Sequence, residues 1–428
     1  MKKYVLTILF LFQAGIAIGQ GDTASFTLHQ AYDQLEKSWP LGNKADLQNQ
    51  ISEWNRRIAG TNRQPDIRLN ASMSYRSDVT EIPFSTPGMD PPLFSKDHYS
   101  VSLEVNQSLF DGGRSQFAQE IEEHSGTAEQ ARIRSEFLSI REQMEQIWFR
   151  ILMMQKQEEV LELLLVDIKK QRDKVESLVK NGVLLPSDEM LLRAEQIKIE
   201  QELTGTKGHI SAGYAVLREI LGVDIPVETP LEIPDTNKSE ADKSAINNRP
   251  EYDLFEANEQ RLESQKKLSG AEMLPTVSLF ATSAYGRPGL DVFDDDLQFY
   301  WIVGARAQWS FRNAKNASIK KEILNLQKRV INTDRDIFSR QLQASLRDTE
   351  KEIEAIRKEI EQDTEVLSLR NNIVTEKLAQ LEQGAITSTE YITELNAESR
   401  ARINLEIRKI RLTQALTEYR TKQGISWK

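Results

Sequence analysis

The sequence contains no cysteine, and this absence excludes several chemistries at once. A chain without thiols has no disulfide scaffold, thiolate metal site or cysteine nucleophile, and no amino-terminal cysteine for lipid attachment. Histidine is scarce, and the four histidines, His29, His98, His124 and His209, are scattered without the spacing of metal ligands. We therefore expect no metal site built on either residue type.

Catalytic and nucleotide-binding motifs are also missing. The chain has no GxSxG, P-loop, HExxH or GxGxxG pattern. Neighbouring carboxylates occur throughout the charged stretches and so do not single out an acid–base pair. The formal net charge of −10 is spread along the chain, whereas nucleic-acid binding needs a concentrated basic face. The sequence therefore predicts a protein that is not an enzyme, holds no cofactor and binds no nucleic acid.

Long apolar runs are absent except at the amino terminus. Lys2 and Lys3 precede an apolar stretch from Tyr4 to Ile18, which ends in small residues. This pattern is typical of a secretory signal peptide, and we expect residues 1–19 to be removed, leaving Gln20 first. The remaining chain has no eighteen-residue apolar run that could span a membrane as a helix. Alternating strands could still enter a membrane as a β-barrel.

The rest of the sequence consists of two similar halves. Residues 40–65 align without a gap to residues 250–275, with both flanking prolines and Gly60 with Gly270 in register. Alternating stretches follow in both halves, and the phrase Gln-x-x-Phe ends the second stretch of each. Such repetition indicates duplication. The two repeats are residues 20–235 and 236–428.

Each repeat is predicted to run from a helix through two strands into a long helical hairpin. The expected strands lie near 65–82, 97–110, 275–287 and 298–311. Residues 113–180 contain no proline and space their apolar residues by three and four, which predicts a helix about 100 Å long. Gly182 breaks this helix and Gly384 breaks its counterpart.

Four strands per chain leave two unpaired sheet edges, which lipid does not tolerate. Closure therefore needs further subunits. Two chains would give eight strands and a barrel filled by its own side chains, whereas three chains would give twelve strands and a lumen.

The loop between the last two strands carries Asp294, Asp295 and Asp296. A solvated acidic tip is favoured over a calcium site, because the spaced ligands and glycine of a calcium loop are missing.

Several phrases resemble the TolC-like outer-membrane efflux protein family. Residues 26–31, FTLHQA, are similar to the opening phrase of the family, and residues 248–251, NRPE, to the opening of its second repeat. Residues 109–113, LFDGG, reproduce the strand-to-helix corner, although Ser108 stands where the family usually has proline. The second corner, residues 310–313, keeps only its phenylalanine. Together with the duplication, the resemblance covers essentially the whole mature chain.

The resemblance implies a fold and a role. Family members are homotrimers with a twelve-stranded β-barrel in the outer membrane, four strands from each chain, above a long α-helical tunnel in the periplasm. They contact outer-membrane lipid and dock a periplasmic adaptor (membrane fusion) protein, through which an inner-membrane efflux transporter supplies energy. The expected function is that of a passive exit duct, in efflux or type I secretion, for small toxic molecules, metal ions or proteins.

The resemblance also locates an entrance where each long helix turns back. Matching positions place an acidic ring at Asp188 and Glu390, six residues after the break glycines, with Glu394 one turn further. The family's locking Tyr and Arg are replaced here by Leu381 and Ile386, so a closed entrance must be held differently. The expected adaptor contacts are the two breaks and their neighbours, Gly182, Val183, Leu184, Leu185, Gly384, Ala385 and Ile386.

Two alternatives remain open at this point. Asp188 and Glu390 could simply cap helices, because acidic residues stabilise helix amino termini. The whole chain could instead be a periplasmic coiled-coil adaptor or scaffold, since adaptors also contain long helical hairpins. Adaptors usually have one hairpin and lack duplicated strand pairs, and fractionation between outer membrane and periplasm would separate the two classes.

Overall fold

The computed structural model describes residues 25–79, 94–227, 229–235, 248–291 and 294–425. The expected signal peptide, residues 1–19, and most of the first inter-strand loop lie outside this range. The elements in chain order are α1 (Leu28–Ser38), α2 (Leu41–Thr61), β1 (Asp66–Tyr75), β2 (Asp97–Phe110), α3 (Arg114–Lys180), α4 (Pro186–Leu221), α5 (Pro250–Ala271), β3 (Thr276–Arg287), β4 (Gln298–Gln308), α6 (Phe311–Glu382) and α7 (Ser388–Lys422).

The expected combination of a four-stranded sheet with very long helices is observed. Helix α3 has 67 residues and α6 has 72, which at 1.5 Å per residue makes each about 100 Å long. Both are followed by a glycine in the left-handed conformation, Gly182 with φ 75° and Gly384 with φ 69°. A side chain would be strained there, so these glycines allow each helix to turn back into its partner, α4 or α7.

The sheet is antiparallel throughout, with the order β1-β2-β3-β4. Its register places Leu69 opposite Leu103, and Ala281 opposite both Val105 and Val303. Because side chains alternate along a strand, these apolar residues share one face. The opposite face holds most of the polar side chains, including Arg68 opposite Glu104.

Two strand ends differ from the sequence prediction. Strand β1 ends at Tyr75, not near residue 82, because β2 begins only at Asp97 and supplies no further partner. Pairing stops after the Arg76 N–H, which donates to the Lys96 carbonyl at 2.7 Å. Strand β4 ends at Gln308, not 311, because the chain turns directly into α6 at Phe311.

Helix α3 is the central element of the helical layer. It packs against α2 and α5 in the half nearest the sheet, and against α4 and α7 in the half nearest the hairpin tips. Helix α6 packs against α5 and then α7. The larger apolar core forms where α1 and α4 pack on α3, around the fully buried Trp148 and Tyr214. A second core lies near the tips, around Leu192, Leu381 and Tyr391.

One buried carboxylate joins both ends of the chain to α3. The Glu145 Oε1 atom accepts hydrogen bonds from the Tyr32 hydroxyl of α1 at 2.6 Å and the Thr421 hydroxyl of α7 at 2.8 Å. The Arg141 Nε atom lies 3.3 Å from the same oxygen. Burial raises the pKa of Glu145 against the opposing effect of Arg141.

Among the described residues, no helix is both long and apolar enough to cross a membrane.

Candidate functional site at the hairpin tips

The two helix breaks, at Gly182 and Gly384, lie side by side in the fold. The Ser388 N–H of α7 donates to the Asp188 Oδ1 of α4 at 3.1 Å. A methyl group added to Gly384 would lie 3.3 Å from the Val183 Cγ1 atom. The α3–α4 tip and the α6–α7 tip therefore lie side by side, and the predicted entrance and adaptor residues are distributed over both.

Asp188 is the most buried of the three predicted ring carboxylates, with only 7% of the residue exposed. Its Oδ2 atom accepts from the Leu185 N–H at 3.1 Å, at the start of its own helix. Its Oδ1 atom accepts from the Ser388 N–H, at the start of α7. One side chain thus satisfies donors at two helix amino termini, where a negative charge is stabilising.

Glu390 and Glu394 face basic residues of α6. The Glu394 Oε2 atom lies 2.6 Å from the Arg370 Nη1 atom, and its side chain is 26% exposed. The Glu390 Oε2 atom lies 3.8 Å from the Lys377 Nζ atom, and its side chain is 54% exposed. Glu390 is therefore the only one of the three with a largely exposed carboxylate in the single chain.

The apolar tip residues divide into an exposed and a packed group. Val183 and Leu185 are exposed, whereas Leu184 and Ile386 are half-buried against the second core. Leu381 lies inside that core and is almost fully buried. The tips thus present a small apolar surface next to the Glu390 carboxylate.

Sequence reasoning missed the basic partners on α6. Lys377 lies seven residues before Gly384 and Glu390 lies six after it. Residues at nearly equal distances from a break come together when a helical hairpin folds back on itself. Pairing positions about each break glycine would therefore have found the Lys377–Glu390 contact.

The described residues hold no group of three or more histidine and carboxylate side chains arranged to bind a metal ion. In the loop before β4, the Asp295 Oδ2 atom lies 2.6 Å from the Arg287 Nη2 atom. The Asp294 carboxylate accepts from the Gln298 amide. These two side chains are therefore occupied by protein partners.

Residues 32–223 match the family model described as outer membrane efflux protein, a little under half of the chain. This chain resembles the outer membrane efflux family. The match confirms the predicted resemblance. A search of curated proteins gives no match.

Solved structures extend the likeness to nearly the whole chain. CusC, studied for its transmembrane channel formation, is 13% identical with a TM-score of 0.77, covering 94% of this chain and 93% of its own. The outer membrane protein VceC of Vibrio cholerae is 15% identical with a TM-score of 0.73, covering 94% and 97%. The open-state outer membrane channel MtrE of Neisseria gonorrhoeae is 13% identical with a TM-score of 0.69, covering 93% and 89%. At such low identity, these matches show a shared fold.

Proposed function

We propose that this chain forms the outer-membrane exit duct of a tripartite efflux or type I secretion system, as a ring of three copies. The observation that carries the proposal is that, among the described residues, the sheet and the helical layer both end in edges without a partner, on the same two sides of the molecule. Strands β1 and β4 are the sheet edges. Helix α2 leads into β1 and helix α6 follows β4.

Both edge helices expose an apolar stripe, which in α6 is interrupted between Ile337 and Val366. The stripe of α2 repeats at intervals of three and four residues, as one face of a helix does, and the stripe of α6 uses the same spacing near both of its ends. The α2 stripe is Leu47, Ile51, Trp54 and Ile58, and the α6 stripe is Ile319, Ile323, Leu326, Val330 and Ile337, continued by Val366, Leu369 and Ile373. Exposed apolar stripes of this length are typical of helix–helix interfaces.

These edges fit one another head to tail. Because the sheet is antiparallel with four strands, β4 of one copy would run antiparallel to β1 of the next, and α6 would meet α2. Such heterologous contacts form a closed ring when the rotation between neighbouring copies returns to the first copy. Three copies supply twelve strands, which is enough for a barrel with a lumen.

The exposed face of the sheet supports a lipid environment for that barrel. Its apolar side chains are flanked by exposed aromatic residues at both ends of the strands. Tyr75, Tyr285 and Phe299 lie near the inter-strand loops, and Phe110, Trp309 and Phe311 lie near the helices. Two aromatic girdles around an apolar band are characteristic of membrane β-barrels.

The hairpin tips would then form the periplasmic entrance. We infer that Glu390 supplies one exposed carboxylate per copy to an acidic ring, with Glu394 behind it beside Arg370. Asp188 contributes by holding the two hairpins of each copy together. Val183 and Leu185, with the rest of the tip surface, are the proposed contacts for a periplasmic adaptor.

Substituting the tip carboxylates one at a time should separate these roles. Asp188→Asn leaves one acceptor oxygen, so either Leu185 or Ser388 loses its hydrogen bond, and we expect the free energy of unfolding to fall by about 1 kcal/mol. Glu390→Gln should leave stability unchanged and weaken cation selectivity, because charged rings set selectivity in channels. Melting curves and planar-bilayer reversal potentials measure the two effects.

The matched control is Glu361→Gln, which removes an exposed charge from α6 far from the tips. Unaltered selectivity in Glu390→Gln would end the ring proposal for Glu390. If Asp188→Asn lost selectivity while keeping full stability, Asp188 would belong to the ring and its capping role would be secondary.

The export role is tested in the native host. Deleting the gene should raise sensitivity to toxic compounds or abolish release of a secreted protein, because a passive duct matters only as an exit. Supplying the wild-type gene should reverse the defect. A deletion strain with normal tolerance across a broad compound panel and a normal secretome would contradict the proposal.

A further inference from the structure

The corner where strands meet helices is basic in an otherwise acidic chain. It consists of four segments, residues 61–68, 107–115, 269–276 and 306–321. These segments carry eight basic side chains and three acidic ones, whereas the whole chain has 55 basic and 65 acidic residues. The excess of positive charge is therefore concentrated at one level of the molecule, immediately next to the sheet.

Some of the basic side chains at this corner have internal partners. Arg114 donates to three backbone carbonyls at the end of α5, the nearest being Leu274 at 3.1 Å. Lys320 pairs with Glu272 at 2.7 Å, and Arg68 pairs with Asp66 at 2.5 Å. The protein itself therefore supplies hydrogen-bond or ion-pair partners for these three side chains.

Three other basic side chains at the corner are exposed and unpaired. Arg63 lies between α2 and β1, and Arg312 and Lys315 lie in the first turns of α6. Within the part of the chain that the structure describes, none of the three forms an ion pair. Exposed cations that form no ion pair within the described residues remain available to an external anion.

Exposed aromatic rings lie at the same level. Trp309 is 59% exposed and Phe311 is 72% exposed, and their ring centroids are 4.7 Å apart. The Trp309 Nε1–H donates to the Met273 carbonyl at 3.0 Å, which fixes the indole against the corner. Aromatic rings beside basic side chains are typical of protein surfaces at the boundary between hydrocarbon and lipid headgroups.

From this juxtaposition we propose that Arg63, Arg312 and Lys315, with Trp309 and Phe311, form a collar that binds anionic phospholipid headgroups on the helix side of the membrane. The phosphates neutralise the three cations while the rings enter the edge of the hydrocarbon. The collar rests on the proposed membrane-spanning function, since only an inserted sheet brings this corner to a headgroup layer. Each basic residue near an anionic surface should enrich such lipids about fivefold.

Quenching of Trp309 fluorescence tests the collar. The full-length protein is reconstituted into phosphatidylcholine vesicles containing either brominated phosphatidylglycerol or brominated phosphatidylcholine at the same mole fraction. The Trp309 signal is the difference between wild type and Trp309→Phe. We expect brominated phosphatidylglycerol to quench this signal at least about twofold more strongly, and high salt to reduce the difference.

The triple variant R63Q/R312Q/K315Q should lose the preference for phosphatidylglycerol. The matched control, R150Q/K170Q/R193Q, removes three exposed cations from α3 and α4 and should keep it. Equal quenching by both lipids in the wild type, or a preference that survives in the triple variant, would overturn the collar while leaving the duct in place. If neither brominated lipid quenched Trp309, the corner would lie outside the membrane and the proposed function would fail as well.

Discussion

Replacing Leu69 with arginine is expected to reduce the free energy of unfolding of the reconstituted protein by about 2–4 kcal/mol, the cost of arginine near the middle of a lipid-facing strand. Leu69 lies on the apolar face of β1, opposite Leu103, and is 74% exposed in the single chain. A water-facing site with that exposure would accept arginine at almost no cost. Denaturant unfolding from vesicles measures the difference.

The adjacent residue provides the control. Asn70 is also exposed but points to the opposite face of the same strand, so that Asn70→Arg would face the lumen and change stability little. The two variants share their position along the membrane normal and their added charge. Equal stability of Leu69→Arg and Asn70→Arg would contradict a lipid-facing apolar surface.

Replacing Val330 with glutamate is expected to prevent assembly. Val330 lies in the exposed stripe of α6, which the proposal buries against α2 of the next copy. A buried, unpaired carboxylate costs about 3–5 kcal/mol, and a ring would contain three of them. Light scattering of the detergent-purified variant should therefore show separate chains where the wild type shows a complex.

Asn332→Glu is the matched variant, because positions two residues apart lie on nearly opposite sides of a helix. Asn332 is exposed and lies away from the stripe, so that its glutamate should leave the complex intact. If Val330→Glu assembled as well as Asn332→Glu, the stripe would not be the interface.

The large features of this fold could be predicted from sequence because each has a local cause. The absence of proline between residues 113 and 180 predicted one uninterrupted helix, and α3 spans Arg114–Lys180. The break glycines were recognisable because only glycine adopts the left-handed conformation without strain. The predicted duplication then allowed each feature of the first half to support its counterpart in the second half.

Features that depend on distant contacts were not accessible in this way. The end of β1 is set by where β2 begins, which alternation within β1 alone does not reveal. The second hydrogen bond of Asp188 joins residues 200 positions apart, so the sequence could predict a cap at its own helix but not the link to α7. The basic partners of Glu390 and Glu394 likewise depend on how α6 lies against α7.

We propose that three copies of this chain close a single duct, and the mass of the detergent-purified wild-type protein tests this most directly. We expect a complex of three chains with its β-structure intact, because the edges of one sheet are satisfied only by its neighbours. A stable single chain in detergent with full β-structure would contradict it.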